Sequence, residues 1–287
     1  MINKLTLIGV GLIGGSLVRA LRRAQVVKEV VGVGRNEANL ELAKGLGVID
    51  QYETDPAKAV IDADVVVLAV PLGNMKAIMH SIAPHLSDKT IVTDVGSAKA
   101  SVLADADATF THNIANFVPG HPIAGTEQSG VEASFAELFQ QRRVILTPHD
   151  KTAPVALQVV RDMWQACGAE VIEMSVEHHD EVLAATSHLP HMLAYALVDT
   201  LARMEDRQDI FDYAAGGFRD FTRIASSDPQ MWHDITMANQ AALVDVMKRF
   251  RTDLDQLITA IEKGDSQFVK ETFERAKAAR DAFCEGK

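Results

Sequence analysis

Apolar residues follow two rhythms along this chain. Up to about Ser175, short runs rich in Val, Ile and Leu alternate with stretches of helical period; beyond it the helical rhythm continues alone. The short runs lie at residues 5–9, 29–34, 65–70, 90–94, 117–119, 144–147 and 170–174. Several are near-continuous rather than alternating, as in parallel strands covered on both faces. Residues 16–25, 36–46, 74–83 and 153–167 have the period of crossover helices. The pattern predicts an α/β fold, a doubly wound parallel sheet with helices on both faces.

From residue 177 to 284 no period-2 segment stands out. Leu243, Val246, Phe250, Leu254, Leu257 and Ile261 recur at spacings of three and four, marking a long amphipathic helix that a second one follows after Gly264. We therefore expect two domains, residues 1–174 with the sheet and residues 175–287 all helical. The apolar seam from 243 to 261 is longer than one small domain needs, so we expect a homodimer with intertwined helical domains.

Composition narrows the function. The 28 Lys+Arg against 39 Asp+Glu leave a net charge of −11, which repels phosphate backbones and disfavours nucleic acid as a partner. An anionic ligand then has to be caught by a local cluster of Arg, Lys or His. Cys167 and Cys284 lie far apart without metal-ligand spacing, which argues against a disulfide scaffold or a structural zinc. No apolar run approaches the roughly 18 residues of a membrane helix. The glycines in the first 15 residues break any signal-peptide core, so a cytoplasmic protein without a membrane partner is expected.

Those glycines carry the first chemistry. Gly9-Val10-Gly11-Leu12-Ile13-Gly14 matches G-x-G-x-x-G, follows an apolar strand and opens a helix. In that context one glycine makes the turn, one lets a pyrophosphate approach and one allows close helix–strand packing, as in Rossmann dinucleotide sites. Gly9, Gly11, Leu12, Ile13 and Gly14 are thus candidate cofactor residues, with Val70 and Pro71 at the end of the third run. An NAD-preferring site carries Asp or Glu at the end of the second strand, where this chain has Gly34 and then Arg35. Arg35 can pair with a 2′-phosphate, which favours NADP and keeps NAD open; otherwise it is a solvated arginine.

Three further segments combine unusual residues: Thr93-Asp94-Val95-Gly96-Ser97-Ala98-Lys99 at a strand end, Pro119-Gly120-His121-Pro122-Ile123-Ala124-Gly125-Thr126-Glu127-Gln128-Ser129-Gly130, and Ser187-His188-Leu189-Pro190-His191 in a helical pattern that Pro190 should kink. With the glycine turn, and with the run Gly216-Gly217-Phe218-Arg219-Asp220-Phe221-Thr222-Arg223-Ile224-Ala225 leading to Trp232, they resemble the prephenate/arogenate dehydrogenase family over nearly the whole chain.

The resemblance implies oxidative decarboxylation of a cyclohexadienol: hydride leaves ring C4 for a nicotinamide, the C4 hydroxyl loses its proton, and CO2 departs as the ring aromatises. It implies His121 as the group that takes the hydroxyl proton and Ser97 as its orienting partner at the same hydroxyl. Arg223 matches the clamp on the ring carboxylate and His191 the residue near the side-chain carboxylate. Thr126, Glu127, Asp220 and Trp232 match pocket or gating positions. No metal is required. The expected substrate is a dicarboxylate, prephenate or arogenate; His191 offers no fixed negative charge for the ammonium of arogenate, which favours prephenate.

Plainer readings stand beside these. Ser97 suits a helix N-cap, Arg223 suits a pair with Asp220, and His188 suits a structural bond across the domain interface. His178 and His179 read as solvated residues near a helix start. We expect no chorismate mutase segment before the first strand and no appended regulatory domain after the helical one. Rival functions are a Rossmann enzyme of the β-hydroxyacid dehydrogenase or pyrroline-carboxylate reductase type, with a lysine on the helical domain, and an NAD(P)-sensing protein without turnover.

Overall fold

The structure, a computed structural model, describes residues 1–126, 128–205 and 207–285. In chain order the first half contains β1 (Ile2–Ile8), α1 (Leu12–Arg23), β2 (Val27–Val33), α2 (Glu37–Gly45), β3 (Gln51–Glu53), α3 (Pro56–Ala59), β4 (Val65–Leu68) and α4 (Leu72–Ile82). It continues with β5 (Ile91–Asp94), α5 (Ala100–Thr109), β6 (Phe117–Val118), β7 (Gly120–Pro122), β8 (Arg143–Leu146), α6 (Pro154–Ala166) and β9 (Glu170–Glu173). Among the described residues, six strands form one sheet in the order β3-β2-β1-β4-β5-β6, and every neighbouring pair in it is parallel.

The near-continuous apolar strands are explained by what lies on each face. Along β4, Val65 and Val67 join a core with Leu17, Leu21 and Trp164 of α1 and α6. Val66 and Leu68 point the other way, to Met75, Met79 and Val102 of α4 and α5. With a side-chain period of two, a strand covered on both faces has no polar side to show.

Two features depart from the predicted alternation. The last two predicted strands, β8 and β9, do not extend the main sheet; with β7 they form a separate three-stranded sheet, antiparallel at β7–β8 and parallel at β8–β9. Strands β3 and β7, three residues each, and helices α3 and α5 are elements the periodicity did not separate. Three residues are too few to establish a period.

The remainder is helical: α7 (Val176–Leu183), a π-helical turn (Ala184–His188), α8 (Leu189–Ala202), α9 (Arg207–Asp212), α10 (Gly216–Thr222), a 3-10 turn (Arg223–Ser226), α11 (Pro229–Ala238), α12 (Gln240–Lys263) and α13 (Ser266–Glu285). Pro190 does not end the helix. The register change falls in the π-helical turn just before it, and Pro190 then sits in the first turn of α8, where its missing N–H leaves no orphaned bond. Residues Met1–Gln240 form one compact unit and a second begins at Ala241. Among the described residues no helix is long and apolar enough to cross a membrane.

Candidate active site

The glycine turn sits where β1 ends beside β4, the point at which strand order reverses in the main sheet and where open α/β sheets bind ligands. Gly9 has φ +101°, and a Cβ there would lie 2.2 Å from the Ala69 carbonyl oxygen, so only glycine fits. Val70 follows directly, its Cγ1 3.1 Å from that same position, and Pro71 is the N-cap of α4. A Cβ on Gly14 would meet the Gly9 carbonyl at 2.6 Å and Leu7 at 2.8 Å, which brings α1 close against β1. Gly11, the N-cap of α1, differs from both: nothing lies within 4 Å of where its Cβ would be. Leu12 and Ile13 open the helix, with no side chain capping it and no acid in its first turn. This cradle fits a dinucleotide pyrophosphate on exposed backbone N–H groups. Arg35 is exposed just beyond β2.

His121 lies in β7, 8% exposed. A buried ion pair holds its strand against the loop that carries Ser97. Lys99 Nζ meets the Asp94 carboxylate and donates to the Gly120 carbonyl at 2.8 Å. Asp94 also accepts from Gly96 N at 2.7 Å and Gly120 N at 3.2 Å. Ser97 is half-buried in that loop, but it does not cap α5. The N-cap is Lys99, and the N–H groups of Lys99 and Ala100 both donate to Asp180, at 2.9 Å each.

The principal correction concerns His179. Expected in solvent, it is fully buried, while His178 beside it is exposed. Its Nε2 lies 2.9 Å from His121 Nδ1, and its own Nδ1 lies 2.8 Å from Asp180 Oδ1. The signal was present in the sequence: Val176, His179, Asp180 and Leu183 are the buried positions of α7, spaced as one helix face. Reading His178-His179 as a polar pair overlooked that neighbours on a helix point 100° apart.

Asp180 continues the network through its backbone. Asn239 Nδ2 donates to the Asp180 carbonyl at 2.8 Å and to His188 Nδ1 at 3.2 Å, while His188 hydrogen-bonds the Ser97 backbone. Burial holds the His121 pKa well below the usual imidazole range, reinforced by His179, Lys99 and His188. Burial likewise lowers that of His179 against the pull of Asp180, and that of His188 to about 4. Asp180 is buried too, yet its bonds from His179, Ala100 and Lys99 keep it below the ordinary carboxylate value. Three imidazoles held toward the neutral form thus surround the Asp180 carboxylate, beside the Lys99–Asp94 ion pair.

The second cluster adjoins it. The His191 ring stacks on Trp232 with centroids 3.5 Å apart, and His188 meets the same indole edge-on at 6.1 Å. His191 Nδ1 donates to the Ser187 carbonyl at 2.9 Å, and burial with the nearby Arg223 lowers its pKa. Arg223 is exposed at the start of its 3-10 turn. Thr126 is exposed and pairs with Gln128; Glu127 lies outside the described residues.

Residues 17–173 match the family model described as "Prephenate dehydrogenase, nucleotide-binding domain", and residues 175–275 match "Prephenate dehydrogenase, dimerization domain". This chain belongs to the prephenate dehydrogenase family. Among its relatives is the cyclohexadienyl dehydrogenase of Zymomonas mobilis, 40% identical over 96% of this chain and 94% of that one. The structure of prephenate dehydrogenase from Aquifex aeolicus, in complex with hydroxyphenyl propionate and NAD+, shares 37% identity and covers 99% of each chain with a TM-score of 0.92. Arogenate dehydrogenase from Synechocystis shares 30% over 98% of this chain and 99% of its own, with a TM-score of 0.83. The prephenate dehydrogenase family thus supplies relatives named for either substrate.

Proposed function

We propose that this chain catalyses the NAD(P)-dependent oxidative decarboxylation of prephenate to 4-hydroxyphenylpyruvate, in tyrosine biosynthesis. The observation that carries it is His121: a buried imidazole kept neutral, in the family's HPIAGTE segment. A nicotinamide dinucleotide seated on the glycine cradle supplies the hydride acceptor.

The roles of the protein's own groups follow. His121 accepts the proton of the ring C4 hydroxyl, which a neutral imidazole can do at neutral pH. Ser97 hydrogen-bonds that hydroxyl and orients the imidazole. Arg223 holds one substrate carboxylate with its planar fork, and His191, held flat against Trp232, stands near the other. Thr126 and Glu127 match the family's pocket or gating positions, and we assign them to substrate binding on that ground. Because aromatisation drives the loss of CO2, positioning carries most of the rate.

Gly9, Gly11, Leu12, Ile13 and Gly14 cradle the pyrophosphate, beside Val70 and Pro71. Arg35, with no acid at Gly34, supports NADP; the NAD+ bound by the Aquifex aeolicus enzyme supports use of NAD as well. Arogenate is the second substrate reading, favoured by the relatives named cyclohexadienyl and arogenate dehydrogenase. Val244, Met247, Phe250, Leu254, Ile258 and Ile261 form an exposed apolar line along α12. It supports a homodimer, which sedimentation at twice the 31.2 kDa chain mass would verify.

Initial rates at 340 nm, crossing prephenate and arogenate with NAD and NADP, test the whole reading. Turnover with prephenate is expected. Four flat traces with retained cofactor binding would replace it by a sensor without turnover.

A further inference from the structure

We propose that His179 and Asp180 are positioning residues that set the tautomer of His121, placing its proton on Nδ1 and leaving Nε2 as the basic nitrogen. The role given to His121 under the proposed function is the ground on which this rests.

The direction of each hydrogen bond follows from the one before. Asp180 accepts two backbone N–H groups, from Lys99 and Ala100, so its carboxylate is a pure acceptor. His179 Nδ1, 2.8 Å from Asp180 Oδ1, must then carry hydrogen. A neutral imidazole has only one N–H, so His179 Nε2 presents a lone pair. That lone pair faces His121 Nδ1 at 2.9 Å. Two lone pairs at this distance repel, so His121 Nδ1 is the donor and its proton-accepting nitrogen is Nε2. A doubly protonated His179 would reverse the last step, giving the proton to the wrong nitrogen of His121.

The surroundings oppose that reversal. His179 is fully buried, and the Lys99 ammonium faces it from the loop before α5. Asp94 at the end of β5 is engaged by Lys99 itself, and among the described residues Asp180 is the acid bonded to the His179 ring. His188 faces His121 from the π-helical turn and disfavours a second charge. Burial and Lys99 depress the His179 pKa, which keeps the ring neutral over the working range. When His121 takes a proton at Nε2, its Nδ1–H bond to His179 leads the new charge toward Asp180. The ring also keeps its orientation, as the carboxylate of a Ser-His-Asp triad does for its histidine.

Two independent measurements test this. The first needs no reaction: ring-15N spectra of the wild-type protein at pH 7.5, with His121 assigned by its loss in His121→Asn. Protonated Nδ1 and unprotonated Nε2 on both His121 and His179 are expected; the opposite tautomer on His121 overturns the proposal. The second is kinetic. In Asp180→Asn the carboxamide oxygen can keep the Ala100 N–H, while its NH2 takes the Oδ1 position that faces His179 and the Lys99 N–H, giving up the Lys99 bond and reversing the chain. In His179→Leu the chain is cut, whereas Gln in His179→Gln can still accept from His121. Asp180→Asn and His179→Leu are expected to lower kcat about 10- to 100-fold with KM values little changed, and His179→Gln to recover much of it. Wild-type kcat and an unmoved pH profile in His179→Leu would overturn the proposal. Wild-type protein inactive on prephenate and arogenate would instead defeat the functional reading and leave the spectra to decide the tautomer; they also decide it if a variant fails to fold.

Discussion

Lys99 and Asp94 form an ion pair from which solvent is wholly excluded. Between them they bind the Gly96 and Gly120 N–H groups and the Gly120 carbonyl, so the pair joins the Ser97 loop to the His121 strand. Removing one partner strands a buried charge. We expect Asp94→Asn or Lys99→Met to lower stability by about 3–5 kcal/mol in urea unfolding; a loss below about 1 kcal/mol, the range of exposed pairs, would show that water reaches the pair.

The imidazoles give stability a direction with pH. His121, His179 and His188 all have folded pKa values depressed by burial, His188 to about 4. The unfolded chain, with values near 6.5, binds more protons in the interval between. Stability is then full above about pH 6.5 and falls on acidification, by up to about 1.4 kcal/mol per pH unit for each ring. Thermal unfolding from pH 7.5 to 5 measures this. A flat Tm over that range would mean that the three rings are charged or solvated in the native state.

Arg223 is assigned to a substrate carboxylate. Arg223→Gln should lower kcat/KM for prephenate about 10- to 100-fold, the worth of a charged hydrogen bond, mostly through KM. Steady-state kinetics with saturating cofactor measure it. An unchanged KM would move the carboxylate elsewhere.

Arg35 is assigned to the 2′-phosphate. Arg35→Ser should raise the KM for NADP about 10-fold or more and leave that for NAD alone. Equal effects on both would return Arg35 to solvent.

The sheet was legible because its strands are apolar runs covered on both faces, and the glycine turn because Gly9 and Gly14 each answer a separate steric demand at fixed spacing between strand and helix. The second sheet was not: β7 is three residues and pairs with a strand more than 20 positions later, a contact no local pattern encodes. His121 stood out between glycine and proline, yet its partner did not. His179 is a polar residue at a core position of α7, and a histidine pair at a helix start looks solvated until the helix face is drawn. Asp180 likewise receives the first N–H groups of α5 in place of Ser97, from 80 residues beyond Ala100, where sequence proximity is no guide.

The most direct test of the account is His121→Asn, assayed at 340 nm with prephenate and either cofactor beside a fluorescence titration of NADPH. The account predicts a fall in kcat of about 10²- to 10⁴-fold, the usual contribution of a general base, with cofactor affinity unchanged. A variant that turns over at the wild-type rate would contradict it.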